Sequence, residues 1–138
     1  MTRIVLDTNI FISAIIKKGK PRNLLRMGIK GNYSLITSNE LLEEVTAVLS
    51  RPRFKMTEDE VNRVVYGIIA ISEMIPMRSK FKVVRNDPDD DVIVNTAYDG
   101  NADYIVSGDN DLLTIKNFRG ISIVTVTEIL AILEKDSH

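Results

Sequence analysis

Apolar positions along this chain follow two periods. Short β-branched runs, Ile4-Val5-Leu6, Tyr33 to Ile36, Val83-Val84, Tyr104-Ile105-Val106 and Ile121 to Val124, have the length and composition of buried strands. Between them lie helix-length stretches whose starts carry capping chemistry. Thr37-Ser38-Asn39-Glu40 reads as a capping box opening a helix to about Leu49, and Thr57-Glu58-Asp59-Glu60 as another opening one to about Ser72. Thr125 with Glu128 opens a last helix in the same way, while Asp87-Pro88 offers an N-cap followed by proline at the first helical position. Strands that alternate with helices predict an α/β chain: three layers, α/β/α, around a mostly parallel central sheet with right-handed crossovers. No stretch rich in Gly, Pro or Ser divides it, so residues 1–138 are expected to form a single domain.

Composition narrows the chemistry. Hydrophobic residues make up 44% of the chain and charged residues 27%, close to ordinary soluble usage. The longest apolar stretches, Ile10 to Ile16 and Val64 to Ile71, are broken by Ser, Gly or Tyr and fall short of the roughly 20 residues that span a bilayer. Met1 to Asp7 enters a strand-like run without the ordered charge and small-residue pattern of a signal peptide. A cytoplasmic protein with no membrane segment is expected. Cysteine is absent and the one histidine is His138, which excludes Cys-His zinc sites, cysteine nucleophiles, Ser-His-Asp triads and histidine bases. Catalysis has to run on carboxylates, hydroxyls, lysines or an ion held by oxygen. The formal net charge of -1 also excludes a protein that coats nucleic acid by bulk charge. A nucleic-acid substrate would be engaged locally.

Open α/β sheets bind ligands outside the carboxyl ends of their strands, where the strand order switches. Asp7 closes the first strand, and Asp109 follows Ile105-Val106-Ser107-Gly108 at the end of a later one. Glu44 falls two turns into the helix after the second strand, and Asp90 falls in the first turn of the helix opening at Asp87. Acids from four segments are thus expected to converge on one pocket. Carboxylates gathered within a few Å repel unless a proton or cation intervenes. A hard divalent ion relieves the conflict, and oxygen-only ligand sets select Mg²⁺ or Mn²⁺. Such ions lower the pKa of water and, in pairs, clamp the attacking and leaving oxygens of a phosphodiester displacement.

The stretches Ile4-Val5-Leu6-Asp7-Thr8-Asn9-Ile10-Phe11, Ser38 to Leu49 with the following Arg51-Pro52-Arg53-Phe54, Asp87-Pro88-Asp89-Asp90, and Ala102 to Leu113 resemble the PIN-domain family in order, spacing and total length. Within it the chain is similar to the toxin components of prokaryotic toxin-antitoxin pairs related to the VapC ribonucleases. The resemblance implies a Mg²⁺- or Mn²⁺-dependent endoribonuclease that forms a homodimer and is inhibited by a cognate antitoxin protein. It matches Asp7 to the first metal ligand and Asn9, beside Thr8, to the polar residue that orients it. Glu44, six residues after Ser38, matches the second acid in preference to Glu43 or Glu40. Asp90, seven residues before Ala97, matches the third, with Asp91 the alternative at that position or a support beside it. Asp109 matches the fourth acid, Asp111 an auxiliary ligand, and Ser107 a position where the family more often carries threonine.

Each of these acids has an ordinary competitor. Asp87, Asp89, Asp90 and Asp91 would complement a helix dipole in any first turn, and Glu43-Glu44 would serve as a solvated helix face. Asp87 to Tyr98 fails as a calcium loop because Val92 stands where glycine is required and Tyr98 where glutamate is required. Neither Gly28 nor Gly31 begins a phosphate-binding loop. A receiver-type phosphoacceptor needs paired acids after the first strand and a lysine late in the sheet, and a dehalogenase-like phosphatase needs a second Asp where Asn9 stands. A PIN scaffold kept as a catalytically silent binding module is the remaining alternative. Of the 18 Lys and Arg residues, Lys17, Lys18, Lys20, Arg22, Arg26 and Lys30 cluster in one span, with Arg51, Arg53 and Lys55 in a second. Lys17, Lys18, Lys20, Arg22, Arg51 and Arg53 are the candidates for holding RNA phosphates. Phe11, Phe54 and Tyr98 read as core packing rather than base-stacking residues.

Overall fold

The computed structural model describes residues 1–84 and 88–136. Among these, the chain runs through β1 (Arg3–Leu6), α1 (Thr8–Ile16), α2 (Lys20–Ile29), β2 (Ser34–Thr37), α3 (Asn39–Leu49), a 3₁₀ turn (Pro52–Phe54), α4 (Glu58–Ile71) and β3 (Ser72–Met74). It continues through α5 (Pro88–Asp99), β4 (Tyr104–Val106), α6 (Asn110–Leu113), β5 (Asn117–Phe118), β6 (Ile121–Val124) and α7 (Val126–Asp136). The strands lie in the order β3-β2-β1-β4-β6-β5. All neighbours are parallel except β5 and β6. This is the three-layer α/β/α arrangement with a mostly parallel sheet that the alternation of runs predicts.

Central strands buried on both faces read as continuous apolar runs. Ile4, Val5 and Leu6 of β1 and Ile105 and Val106 of β4 are all fully buried, and Phe11, Leu35, Ile36, Leu41, Leu49 and Ile129 complete the packing around them. Two capping boxes form as expected. Thr57 and Glu60 bond reciprocally to each other's backbone amides at the start of α4, and Thr125 and Glu128 do so at the start of α7.

Three expectations are corrected. The box anticipated at Thr37–Glu40 is replaced by a single cap one residue later: Ser38 Oγ accepts from Leu41 N, because Thr37 still belongs to β2 and shares its ladder with β3. Val83-Val84 form no strand, since both amides donate to the side chain of Asp91 instead of to a neighbouring strand. β3 and β5 escape the apolar pattern because they are only three and two residues long and half-buried or exposed. The N-cap role expected of Asp87 lies outside the described residues, while Pro88 opens α5 as anticipated.

The direction of α5 matters for the site. Beyond its C-terminus, the Gly100 carbonyl accepts two bonds from the Arg3 guanidinium at the start of β1 (3.0 and 2.7 Å). Twelve helical residues rise about 18 Å. The first turn of α5, with Asp90, therefore lies toward the carboxyl edge of the sheet.

Candidate active site

The order β3-β2-β1-β4-β6-β5 changes direction between β1 and β4, and the register there decides what meets at the carboxyl edge. Leu6 pairs with Val106, so the next residues, Asp7 and Ser107, emerge side by side. Asp7 N donates to Val106 O (3.1 Å) and Ser107 N to Val124 O (3.0 Å), which extends the ladder to both. Asp7 is 2% exposed and Ser107 fully buried. One Asp7 oxygen caps α1 by accepting from Ile10 N (3.0 Å), and the other accepts from Ser107 Oγ. The same Ser107 hydroxyl accepts from Asp109 N (2.9 Å), so one serine ties the two acids together.

Burial pushes the Asp7 carboxyl above its ordinary range, and the nearby charge of Asp109 pushes in the same direction. The Ser107 hydroxyl and the backbone amides of Ile10 and Asn9 oppose that rise. Asn9 thus reaches Asp7 through its backbone, while its side chain is exposed. Asp109 is half-buried and accepts from Asp111 N (2.9 Å) as the cap of α6. Asp111 itself is exposed. Thr8, the first residue of α1, is 5% exposed, and its hydroxyl has no hydrogen-bond partner among the described residues.

The remaining acids come from the helices. Glu44 is half-buried and Glu43 exposed on α3. Asp90 is 6% exposed, whereas Asp91 turns its carboxylate to the amides of Val83 (2.8 Å) and Val84 (2.9 Å). Glu40, which the sequence set aside in favour of Glu44, lies one turn before it on the same flank of α3. Its Oε2 and the Thr37 hydroxyl are buried without a hydrogen-bond partner among the described residues. Among the described residues, no group of three or more acidic side chains stands close enough to hold an ion. Like charges in a partly buried site repel, and the carboxylates of Asp7, Asp91 and Asp109 each accept from a backbone N–H. The donor set nonetheless suits a hard cation. Every candidate ligand is an oxygen, and the buried Asp7 beside Asp109 is the kind of carboxylate pair whose repulsion an ion would relieve.

The basic residues divide. Lys20 Nζ donates to Thr127 Oγ1 (3.3 Å) in the first turn of α7, which puts the start of α2 near the carboxyl edge. Lys17 and Lys18 are exposed beside it. Arg22 is committed elsewhere, donating to the Ala14 and Ile15 carbonyls at the end of α1 (2.8 and 2.9 Å). Arg51 and Arg53 are exposed near the 3₁₀ turn, where Arg53 stacks on Phe54 at 4.7 Å. Phe11 is fully buried, as expected, whereas Tyr98 is an exposed residue and not part of the core, its ring packing edge-on against Phe81 and Phe118.

An open, mostly parallel sheet with two carboxylates, Asp7 and Asp109, at its switch point defines an α/β protein with an acidic site at the carboxyl edge. The PIN domain family model matches residues 3–111. The chain belongs to the PIN-domain family, whose members are generally nucleases. It is 29% identical over 119 residues to the uncharacterised protein MJ1680 of Methanocaldococcus jannaschii, covering 83% of this chain and 76% of that protein. Its fold is similar to a chain of VapBC2 from Rickettsia felis, solved bound to a DNA fragment from the promoter, with TM-score 0.64, 19% identity and coverage of 90% of this chain and 98% of that one. It is also similar to PAE2754 from Pyrobaculum aerophilum, with TM-score 0.67, 14% identity and coverage of 97% and 90%. No helix among the described residues is long and apolar enough to cross a membrane.

Proposed function

We propose that this PIN domain is a Mg²⁺- or Mn²⁺-dependent endoribonuclease, the cytoplasmic toxin of a toxin-antitoxin pair. The observation that carries the nuclease reading is the buried Asp7, joined through Ser107 to Asp109 at the switch point of the sheet. Asp7, Glu44, Asp90 and Asp109 would hold the ion, with Asp111 auxiliary. When bound, a hard divalent cation polarises a phosphoryl oxygen and makes water a nucleophile at neutral pH. The chain supplies placement: Ser107 and the Ile10 amide fix the Asp7 rotamer, and the α6 cap fixes Asp109. Lys17, Lys18 and Lys20, at the start of α2, would hold phosphates of an RNA strand, with Arg51 and Arg53 as further candidates, whereas the bonds of Arg22 argue for a structural role.

The toxin role draws on the fold shared with VapBC2, a toxin-antitoxin complex. A groove of about 670 Å³ between α1, α2 and α4, floored by Leu25, Val64 and Ile68 and bordered by Arg22, Arg26 and Arg63, would suit an acidic amphipathic segment of an antitoxin. Homodimerisation remains part of the proposal. A second reading is a PIN scaffold that binds without cutting.

The deciding assay compares wild type with Asp7→Asn on structured and unstructured RNA in Mg²⁺, Mn²⁺ or EDTA, with single-stranded DNA as control. Cleavage of RNA that disappears in EDTA and in Asp7→Asn is expected. No cleavage in any metal, together with no heat of Mn²⁺ binding by calorimetry, would leave the binding-module reading standing.

A further inference from the structure

Residues 78–84 run along one flank of α5, and three side chains of that helix meet their backbone. Asp99 accepts from Arg78 N (2.6 Å), from Ser79 N (2.8 Å) and from the Ser79 hydroxyl. Asn95 accepts from Phe81 N (2.8 Å) and donates to Phe81 O (3.0 Å). Asp91 Oδ1 accepts from both Val83 N (2.8 Å) and Val84 N (2.9 Å). The fit is one of periods: helical residues four apart rise about 6 Å, and two residues of extended chain span about 6.6 Å. Asp91, Asn95 and Asp99 therefore act as a surrogate strand edge for a strap running antiparallel to the helix. The strap ends at the first turn of α5, beside the buried Asp90.

We propose that Asp91 is a positioning residue and not a metal ligand: by anchoring the strap at Val83 and Val84 it fixes the first turn of α5 and, through it, the carboxylate of Asp90. This rests on the reading that Asp90 belongs to a cation site. A ligand has to supply charge, whereas an anchor has only to supply an acceptor. Asn at position 91 keeps the acceptor and loses the charge. Ala loses both, and proline at position 83 removes a donor from the strap while leaving every carboxylate in place.

The experiment measures Mn²⁺ binding by titration calorimetry, kcat for RNA cleavage, and amide exchange at Val83 and Val84 in wild type, Asp90→Asn, Asp91→Asn, Asp91→Ala and Val83→Pro, with thermal unfolding as the check on folding. Asp91→Asn is expected to keep Mn²⁺ affinity within about threefold and its amides protected. Asp91→Ala and Val83→Pro are expected to lose about tenfold or more, the size usual when a group supporting a ligand is removed. Val83→Pro stands in if Asp91→Ala does not fold. Loss of Mn²⁺ binding in Asp91→Asn as complete as in Asp90→Asn would make Asp91 a ligand and overturn the proposal, and so would unchanged binding in both Asp91→Ala and Val83→Pro. If wild type itself binds no Mn²⁺, the cation reading is what fails. Protection at Val83 and Val84 that persists in Asp91→Ala would then overturn the anchor as well.

Discussion

Asp7 carries the sharpest conflict between stability and chemistry in this chain. It is buried, faces Asp109 and is compensated by one hydroxyl and a few amides, so its pKa lies above the ordinary value. A raised native pKa means that the folded chain holds the proton more tightly than the unfolded chain. The resulting stabilisation is complete below the unfolded value of about 4 and is lost as pH rises through the raised one. Asn at this position can still accept from Ile10 N and can donate to Ser107 Oγ, without the charge. Asp7→Asn in EDTA is therefore expected to melt above wild type at pH 8, by roughly 1 kcal/mol or about 3 °C. The gap should close toward pH 4, as scanning calorimetry across that range would test. A lower melting temperature for the variant at pH 8 would mean that the fold favours the ionised carboxylate and that the Asp7 pKa is not raised.

Among the elements, α4 shows how local chemistry and packing divide the work. Its start is set by the Thr57–Glu60 box, but it buries only Val61 and Ile68 fully and leaves Tyr66 and Ile69 exposed. Gly67 sits inside it, and a Cβ built there meets nothing within 4 Å. Glycine in a helix interior costs about 0.5–1 kcal/mol relative to alanine. Gly67→Ala should therefore raise the urea midpoint by about that free energy with an unchanged m-value. A fall in the midpoint would contradict a regular helix at this position. The α3–α5 pair behaves differently. Ser38 Oγ caps α3 and also bonds Thr96 Oγ1 at 2.8 Å, both groups fully buried, which joins the helix bearing Glu44 to the helix bearing Asp90.

For the molecule as a whole, a cation that binds only the folded state links the site to global stability. At a free concentration one hundred times Kd it adds about 2.7 kcal/mol. Mn²⁺ is expected to raise the melting temperature of wild type, and Asp7→Asn and Asp109→Asn should lose most of that shift. An equal shift in all three proteins would place the ion elsewhere.

The alternation of runs, two of the three expected capping boxes and the position of Asp7 after an apolar strand were legible in the sequence, because caps, periodicity and strand ends are local properties. The sequence also placed Ser107 and Asp109 just past a strand, though not beside Asp7. That adjacency depends on the Leu6–Val106 register, a pairing across one hundred residues. One-dimensional spacing put Asp90, seven residues before Ala97, ahead of Asp91 but left Asp91 as the alternative. The two are neighbours in one helical turn, 100° apart, and only packing decides that Asp90 turns inward while Asp91 faces the strap. Val83-Val84 have strand composition but no strand beside them, so their amides go to a helix side chain. Propensity and periodicity are written residue by residue; which donor finds which acceptor is decided when distant segments pack.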